Sequence, residues 1–188
     1  MFTQLNITIF SYINQFAGNK LIFDTIGVFL AEKLPYVFLL LFIFLWFYNE
    51  KYKNIILYSG YSIILGLLIN FLITLFYFHP RPYMENIGTL LINHLPETSF
   101  PSDHTTFMLS MAFLFLYFKS TRKIGIVFSF IGLTGGLARI FIGVHFPFDI
   151  MGSIIVSFFA SFFVFRIKKI FTPVNNLFFK IDNLFFKR

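Results

Sequence analysis

A chain of 188 residues that is 57% hydrophobic, 22% aromatic and only 12% charged has too few polar groups to cover a water-soluble globule, so it reads as a polytopic membrane protein. Its net charge of +7 does not point to nucleic acid, because the basic residues cluster beside apolar runs as juxtamembrane anchors do, and membrane lipids are the partners this implies. The lack of cysteine excludes a disulfide framework and thiolate metal ligation.

The chain starts with an uncharged stretch, Met1 to Gly18, interrupted by Gln4, Asn6, Asn14 and Gln15; Lys20, Asp24, Glu32 and Lys33 then frame a second short apolar piece. Residues 1–33 are expected to form two helices lying in or dipping into the outer leaflet, in preference to a sixth span. No basic n-region followed by a small-residue cleavage site marks a removable signal peptide. Five charge-free runs follow, from Leu34 to Asn49, Asn54 to Phe78, His104 to Phe118, Ile124 to Ala138 and Ile150 to Phe165. Each is near the roughly 20 residues needed to cross a bilayer, the shorter ones leaning on flanking side chains that snorkel.

Eleven of the 15 Lys and Arg fall in the Lys51/Lys53 loop, the Lys119 to Lys123 loop and the tail after Phe165, which places those three on the cytoplasmic side. The loop from His79 to Asp103 and the turn around Val144 and His145 then face outward. In the tail, Asn176-Leu177-Phe178-Phe179-Lys180 recurs seven residues later as Asn183-Leu184-Phe185-Phe186-Lys187, which returns the apolar cluster to nearly the same helix face. Residues 171–188 are thus expected to form a basic amphipathic helix on the cytoplasmic surface, and residues 1–170 the membrane domain. The fold class is all-α, a bundle of five to six membrane helices with interfacial helices.

The outward loops hold the unusual chemistry. Arg81 in HPRPY, Arg139 in LARIFIGVHFPFD, His104 and His145 all come from span ends on one face. Two guanidiniums and two imidazoles in one place make a phosphate-binding constellation, because the planar Arg fork matches phosphate oxygens. Pro147 followed two residues later by Asp149 reads as a helix start, four residues after His145; the carboxylate would hold the proton of one ring nitrogen and leave the other free to attack. The stretch Pro101-Ser102-Asp103-His104 reads as the start of the third span, whose free backbone amides and positive dipole end would face the same pocket. There Ser102 supplies a hydroxyl donor and His104 a proton for the leaving oxygen.

In order, these residues resemble the three-part signature of the PAP2 (type 2 phosphatidic acid phosphatase) superfamily: Lys-x6-Arg-Pro, then Pro-Ser-Gly-His, then Ser-Arg-x5-His-x3-Asp. Arg81-Pro82 matches the end of the first part, Pro101-Ser102-Asp103-His104 the second, and Arg139, His145 and Asp149 keep the spacing of the third. The stretches FHPRPY, SFPSDHTTF and RIFIGVHFPFDIMG are similar to the bacterial undecaprenyl-diphosphatase branch, where Asp commonly replaces the signature Gly. The signature Lys is replaced by Thr74 and the Ser before the Arg by Ala138.

The resemblance implies a PAP2-like helical fold and a metal-independent phosphatase of polyprenyl diphosphate without a cofactor, acting at the outer face of the bacterial cytoplasmic membrane. His145 would be the nucleophile, Asp149 its orienting carboxylate and His104 the general acid. Arg81, Arg139, Ser102 and the amides at Asp103 would bind phosphate, with His79, two residues before Arg81, or another group substituting for the missing Lys. Three other readings stand beside this one. Another lipid phosphatase would act on phosphatidylglycerol phosphate, phosphatidic acid or lipid A 1-phosphate. A transporter would use the charged groups as a path, and a metal site would use the histidines with Glu85, Glu97, Asp103 and Asp149, although no close ligand spacing supports it. The sequence carries no signal for an oligomeric state.

Overall fold

The computed structural model describes residues 2–185; Phe186 and Lys187, the end of the second tail repeat, lie outside them. Five long helices form the bundle: α2 (Leu21–Tyr48), α3 (Glu50–Phe76), α4 (Asp103–Leu116), α5 (Arg122–Phe141) and α6 (Pro147–Ile167). They are preceded by α1 (Phe2–Asn14) and followed by α7 (Thr172–Phe185). By length and apolarity α2, α3, α5 and the α6–α7 run can each cross a membrane, and their exposed faces are rich in Phe, Leu and Ile, as a lipid-facing surface requires. The protein is therefore an integral membrane protein.

The central helix α4 is the shortest of the bundle at 14 residues, about 21 Å. It packs against α3, α5 and α6 together, so most of its surface meets protein instead of lipid. Small residues permit the close approach: a Cβ at Gly66 would meet Ser110 Oγ at 2.7 Å, and one at Gly136 would meet Ile150 Cγ2 at 2.9 Å. Hydroxyls across these seams satisfy one another's backbone. Ser62 Oγ donates to the Ser110 carbonyl (3.1 Å), Ser153 Oγ to the Ser102 carbonyl (3.0 Å) and Ser157 Oγ to the Thr106 carbonyl (3.2 Å). Phe38, Ile56, Met108, Met111 and Phe115 fill the core between α2, α3 and α4.

The first span begins earlier than its charges suggest. Instead of two short helices before Leu34, there is one, α1, and then α2 runs unbroken from Leu21 through Pro35 to Tyr48. The charges within it are matched in place: Asp24 Oδ1 accepts from the Gly18 amide (3.0 Å) and Glu32 pairs with Arg139 (2.9 Å), so neither ends the helix. In α1, the polar residues that interrupt the sequence are its anchors. Asn14 Nδ2 donates to the Phe141 (2.7 Å) and Thr89 (2.9 Å) carbonyls, and Asn6 Oδ1 accepts from the Phe148 amide (3.0 Å), clasping α1 to the ends of α5 and α6.

At the opposite end of the bundle, α7 folds back against α2 and α3. Its buried Asp182 accepts from Trp46 Nε1 (2.9 Å) and pairs with buried Lys53, while Asn175 bonds Tyr61 and Asn54 (2.9 and 2.8 Å). The helices alternate in direction, so the N-termini of α4 and α6 and the C-termini of α3 and α5 gather at one end, away from Lys51, Lys53, Lys119 and Lys123.

Candidate active site

Two local turns carry the site. Between α5 and α6, Gly143 adopts φ +86°, and a Cβ there would collide with the Thr89 carbonyl, so glycine is required where the chain reverses. The reversal places His145 just before Pro147, which occupies the first turn of α6, and Asp149 in that turn accepts from the Phe146 amide at 2.7 Å. The second turn is Ser99 to Ser102, with a cis Phe100–Pro101 bond, leading directly into α4 at Asp103.

These turns, with the His79–Thr98 loop, close a cavity of about 270 Å³. Arg81, Asp103, His104, Arg139 and His145 line it together, and Leu67 and Phe71 of α3 form an apolar side. Thr74, in place of the signature Lys, also lines it. Both guanidiniums are almost fully buried, and each keeps an Nε hydrogen without a protein partner. Buried, unpaired donors of this kind suit an anionic ligand.

His145 is held from behind. Its Nδ1 lies 3.2 Å from Ser99 Oγ and 3.5 Å from Asp149 Oδ2, and the Ser99 hydroxyl donates to that same carboxylate oxygen. Ser99 is therefore the nearer partner, accepting from Nδ1–H while donating to Asp149. With the proton on Nδ1, Nε2 presents a lone pair, and Arg81 Nη1 stands 3.3 Å from it. Complete burial pulls the His145 pKa down to about 3 even with Asp149 beside it, so the ring is neutral.

The arginines are fixed by backbone and carboxylate together. Arg81 Nη1 donates to the Val144 carbonyl (3.0 Å) and Nη2 to Glu97 Oε1 (2.9 Å). Arg139 Nη1 donates to the Ala31 carbonyl (3.2 Å) and to Glu32 Oε1 (2.9 Å).

Other expected positions sit differently. His79 does not line the cavity. It stands behind Asp149, its Nδ1 3.2 Å from Oδ1 but off the hydrogen-bonding direction, and the carboxylate raises its pKa above the ordinary value. It therefore does not fill the place left by the signature Lys. Ser102 is wholly buried outside the cavity lining, where its Oγ accepts from Thr105 Oγ1 (3.1 Å). Asp103 lines the cavity, and its Oδ1 accepts from Asn70 Nδ2 (2.7 Å), which also reaches Thr106 Oγ1 (3.0 Å).

Sequence pattern does not mark Ser99, Asn70, Glu32 or Glu97 as part of this cluster, and His94, in the loop before α4, also lines the cavity. The only sequence signal for the two glutamates is that buried arginines need counter-charges.

Over residues 55–172 the chain matches the family profile described as PAP2 superfamily. It is 36% identical over 174 residues to undecaprenyl-diphosphatase BcrC of Bacillus subtilis (strain 168), covering 92% of this chain and 89% of that protein. It is 30% identical to the protein of Bacillus licheniformis named bacitracin transport permease protein BcrC, covering 87% of this chain and 81% of the other. The crystal structure of Aquifex aeolicus LpxE superposes with a TM-score of 0.73 at 25% identity, over 86% of this chain and 95% of that one.

Proposed function

The chain belongs to the PAP2 superfamily and is a membrane-embedded lipid phosphatase, and from that premise we propose that it converts undecaprenyl diphosphate to undecaprenyl phosphate and inorganic phosphate. The observation that carries this reading is the shared cavity in which His145, His104 and two buried arginines meet beside the apolar wall of Leu67 and Phe71.

His145 Nε2 attacks the terminal phosphorus in line with the bridging oxygen, forming a phosphorus–nitrogen bond as the phosphorus–oxygen bond to the lipid phosphate breaks. His104, whose protonated form the charge of the bound diphosphate favours, gives that leaving oxygen its proton. Asp149, acting through Ser99, keeps the Nδ1 proton in place and stabilises the imidazolium that forms. Arg81 and Arg139 hold the equatorial oxygens, since phosphoryl transfer depends mainly on positioning and charge stabilisation. Water, deprotonated by His104, then cleaves the phosphohistidine and releases phosphate. None of these steps uses a metal ion.

The polyprenyl tail lies along the lipid-facing flank of α3, while the diphosphate stays at headgroup level. Because Lys and Arg concentrate at the opposite end, the site faces the exterior of the bacterial cytoplasmic membrane and α7 lies on the cytoplasmic surface.

The test is phosphate release by detergent-purified protein, with EDTA present, from undecaprenyl diphosphate, phosphatidylglycerol phosphate and phosphatidic acid, beside His145→Ala. Rapid release from the diphosphate alone, lost in the variant, supports the assignment. Preference for a glycerolipid keeps the mechanism and changes the substrate. The permease name of the Bacillus licheniformis relative favours transport as a second reading, which vesicle flux without phosphate release would support.

A further inference from the structure

We infer that Glu97 is an internal competitor for the phosphate site. Its carboxylate occupies Arg81 when the site is empty, yields to the incoming phosphate group, and returns to Arg81 to help expel inorganic phosphate. The inference rests on the phosphatase reading above and adds to it a residue that sets how tightly product is held.

The two ion pairs of the site differ in kind. Glu32 projects from a helix onto Arg139, whose side chain is 1% exposed and which is also tethered to the Ala31 carbonyl. Glu97 lies in the loop between α3 and α4, its side chain 57% exposed, and is joined to Arg81 through Nη2 at 2.9 Å. Swinging Glu97 into water therefore breaks this half-solvated contact and a longer one, 3.8 Å, to His94 Nδ1, a change of small cost.

Arg81 stays in place when that happens, because Nη1 remains bonded to the Val144 carbonyl beside His145. Glu97 also satisfies the guanidinium incompletely. It engages Nη2, while the buried Nε has no partner. A phosphate group, with several oxygens, can take both donors at once. The carboxylate thus fits well enough to neutralise Arg81 at rest, but less well than the substrate.

The same competition assists release. After the phosphohistidine is cleaved, two arginines hold an anionic product, and tight ground-state binding of that product slows turnover without aiding chemistry. A tethered carboxylate at the rim lowers that affinity in every cycle.

The experiment measures inorganic phosphate binding to the purified full-length protein by calorimetry or phosphorus NMR. It uses wild type, Glu97→Gln and Glu97→Asp, together with KM and kcat for the lipid diphosphate. Glu97→Gln is expected to bind phosphate about three- to tenfold more tightly, to lower KM in the same direction and not to raise kcat. Glu97→Asp, which keeps the charge, should fall between the two. Unchanged or weaker phosphate binding in Glu97→Gln, with turnover still dependent on His145, would overturn the inference and leave the phosphatase reading intact. Absence of both phosphate binding and lipid hydrolysis in the wild type would overturn both.

Discussion

The Arg139 guanidinium donates, at 3.2 Å, to the carbonyl of Ala31, the acceptor left without a helical donor because Pro35 stands four residues further along α2. A proline inside a membrane helix frees a backbone carbonyl that must be satisfied by a neighbour, and here the neighbour is an arginine that lines the cavity. Pro35 thereby links the backbone of α2 to the orientation of a side chain on α5.

Restoring the missing donor should loosen that link. Pro35→Ala lets the amide at position 35 compete for the Ala31 carbonyl, so kcat/KM for the lipid substrate is expected to fall about fivefold, the value of one modest hydrogen bond. The melting temperature should hold or rise, because a helix interior gains an alanine. Unchanged kinetics in this variant would show that Glu32 alone orients Arg139.

Ser99 supplies the nearer contact to His145 Nδ1, at 3.2 Å against 3.5 Å for Asp149. Ser99→Ala should lower kcat by about 10- to 100-fold, consistent with a buried hydrogen bond to charged partners, whereas His145→Ala is expected to remove turnover altogether. Equal losses in the two variants would mean that Ser99 also maintains the fold, which a thermal melt distinguishes.

The two glutamates should separate by stability. Glu32→Gln leaves the buried Arg139 charge without its counter-ion and should cost about 2 kcal/mol, roughly 4–8 °C in Tm for a chain of this size. Glu97→Gln, at an exposed loop position, should leave Tm nearly unchanged. A matching drop in both would contradict the distinction between a fixed and a displaceable carboxylate.

His79 and His145 should give opposite pH dependences of stability. Asp149 raises the folded-state pKa of His79, so its contribution is complete below the unfolded value of about 6.5 and is lost as pH rises through the raised value. Burial lowers His145 to about 3. Its unfolded state therefore binds more protons, and stability falls as pH drops from about 6.5 towards that value. In melts from pH 4 to 9, His79→Gln should flatten the alkaline side and His145→Gln the acid side. The reverse pattern would exchange the signs assigned here.

Much of the molecule is legible in one dimension. The apolar runs mark the bundle helices because lipid demands apolar side chains along each span. The turn Pro147-Phe148-Asp149 is readable because helix capping acts over three or four residues. The spacing of Arg139, His145 and Asp149 places them at one reversal of the chain.

What local pattern does not contain is which charge meets which. Glu32 and Arg139 are 107 positions apart, and Arg81 and Glu97 belong to an irregular loop, so their pairing depends on how α2 and α5 pack and where that loop settles. The same packing lets α2 continue through Asp24 and Glu32, places His79 behind Asp149 instead of in the cavity, and sets Ser99 between His145 and Asp149. Composition and short-range spacing determine the spans and which arginines and histidines stand at their ends. Tertiary structure decides the partners, because a buried charge or hydrogen-bonding group is satisfied by whatever the fold brings within about 3 Å, however distant in sequence.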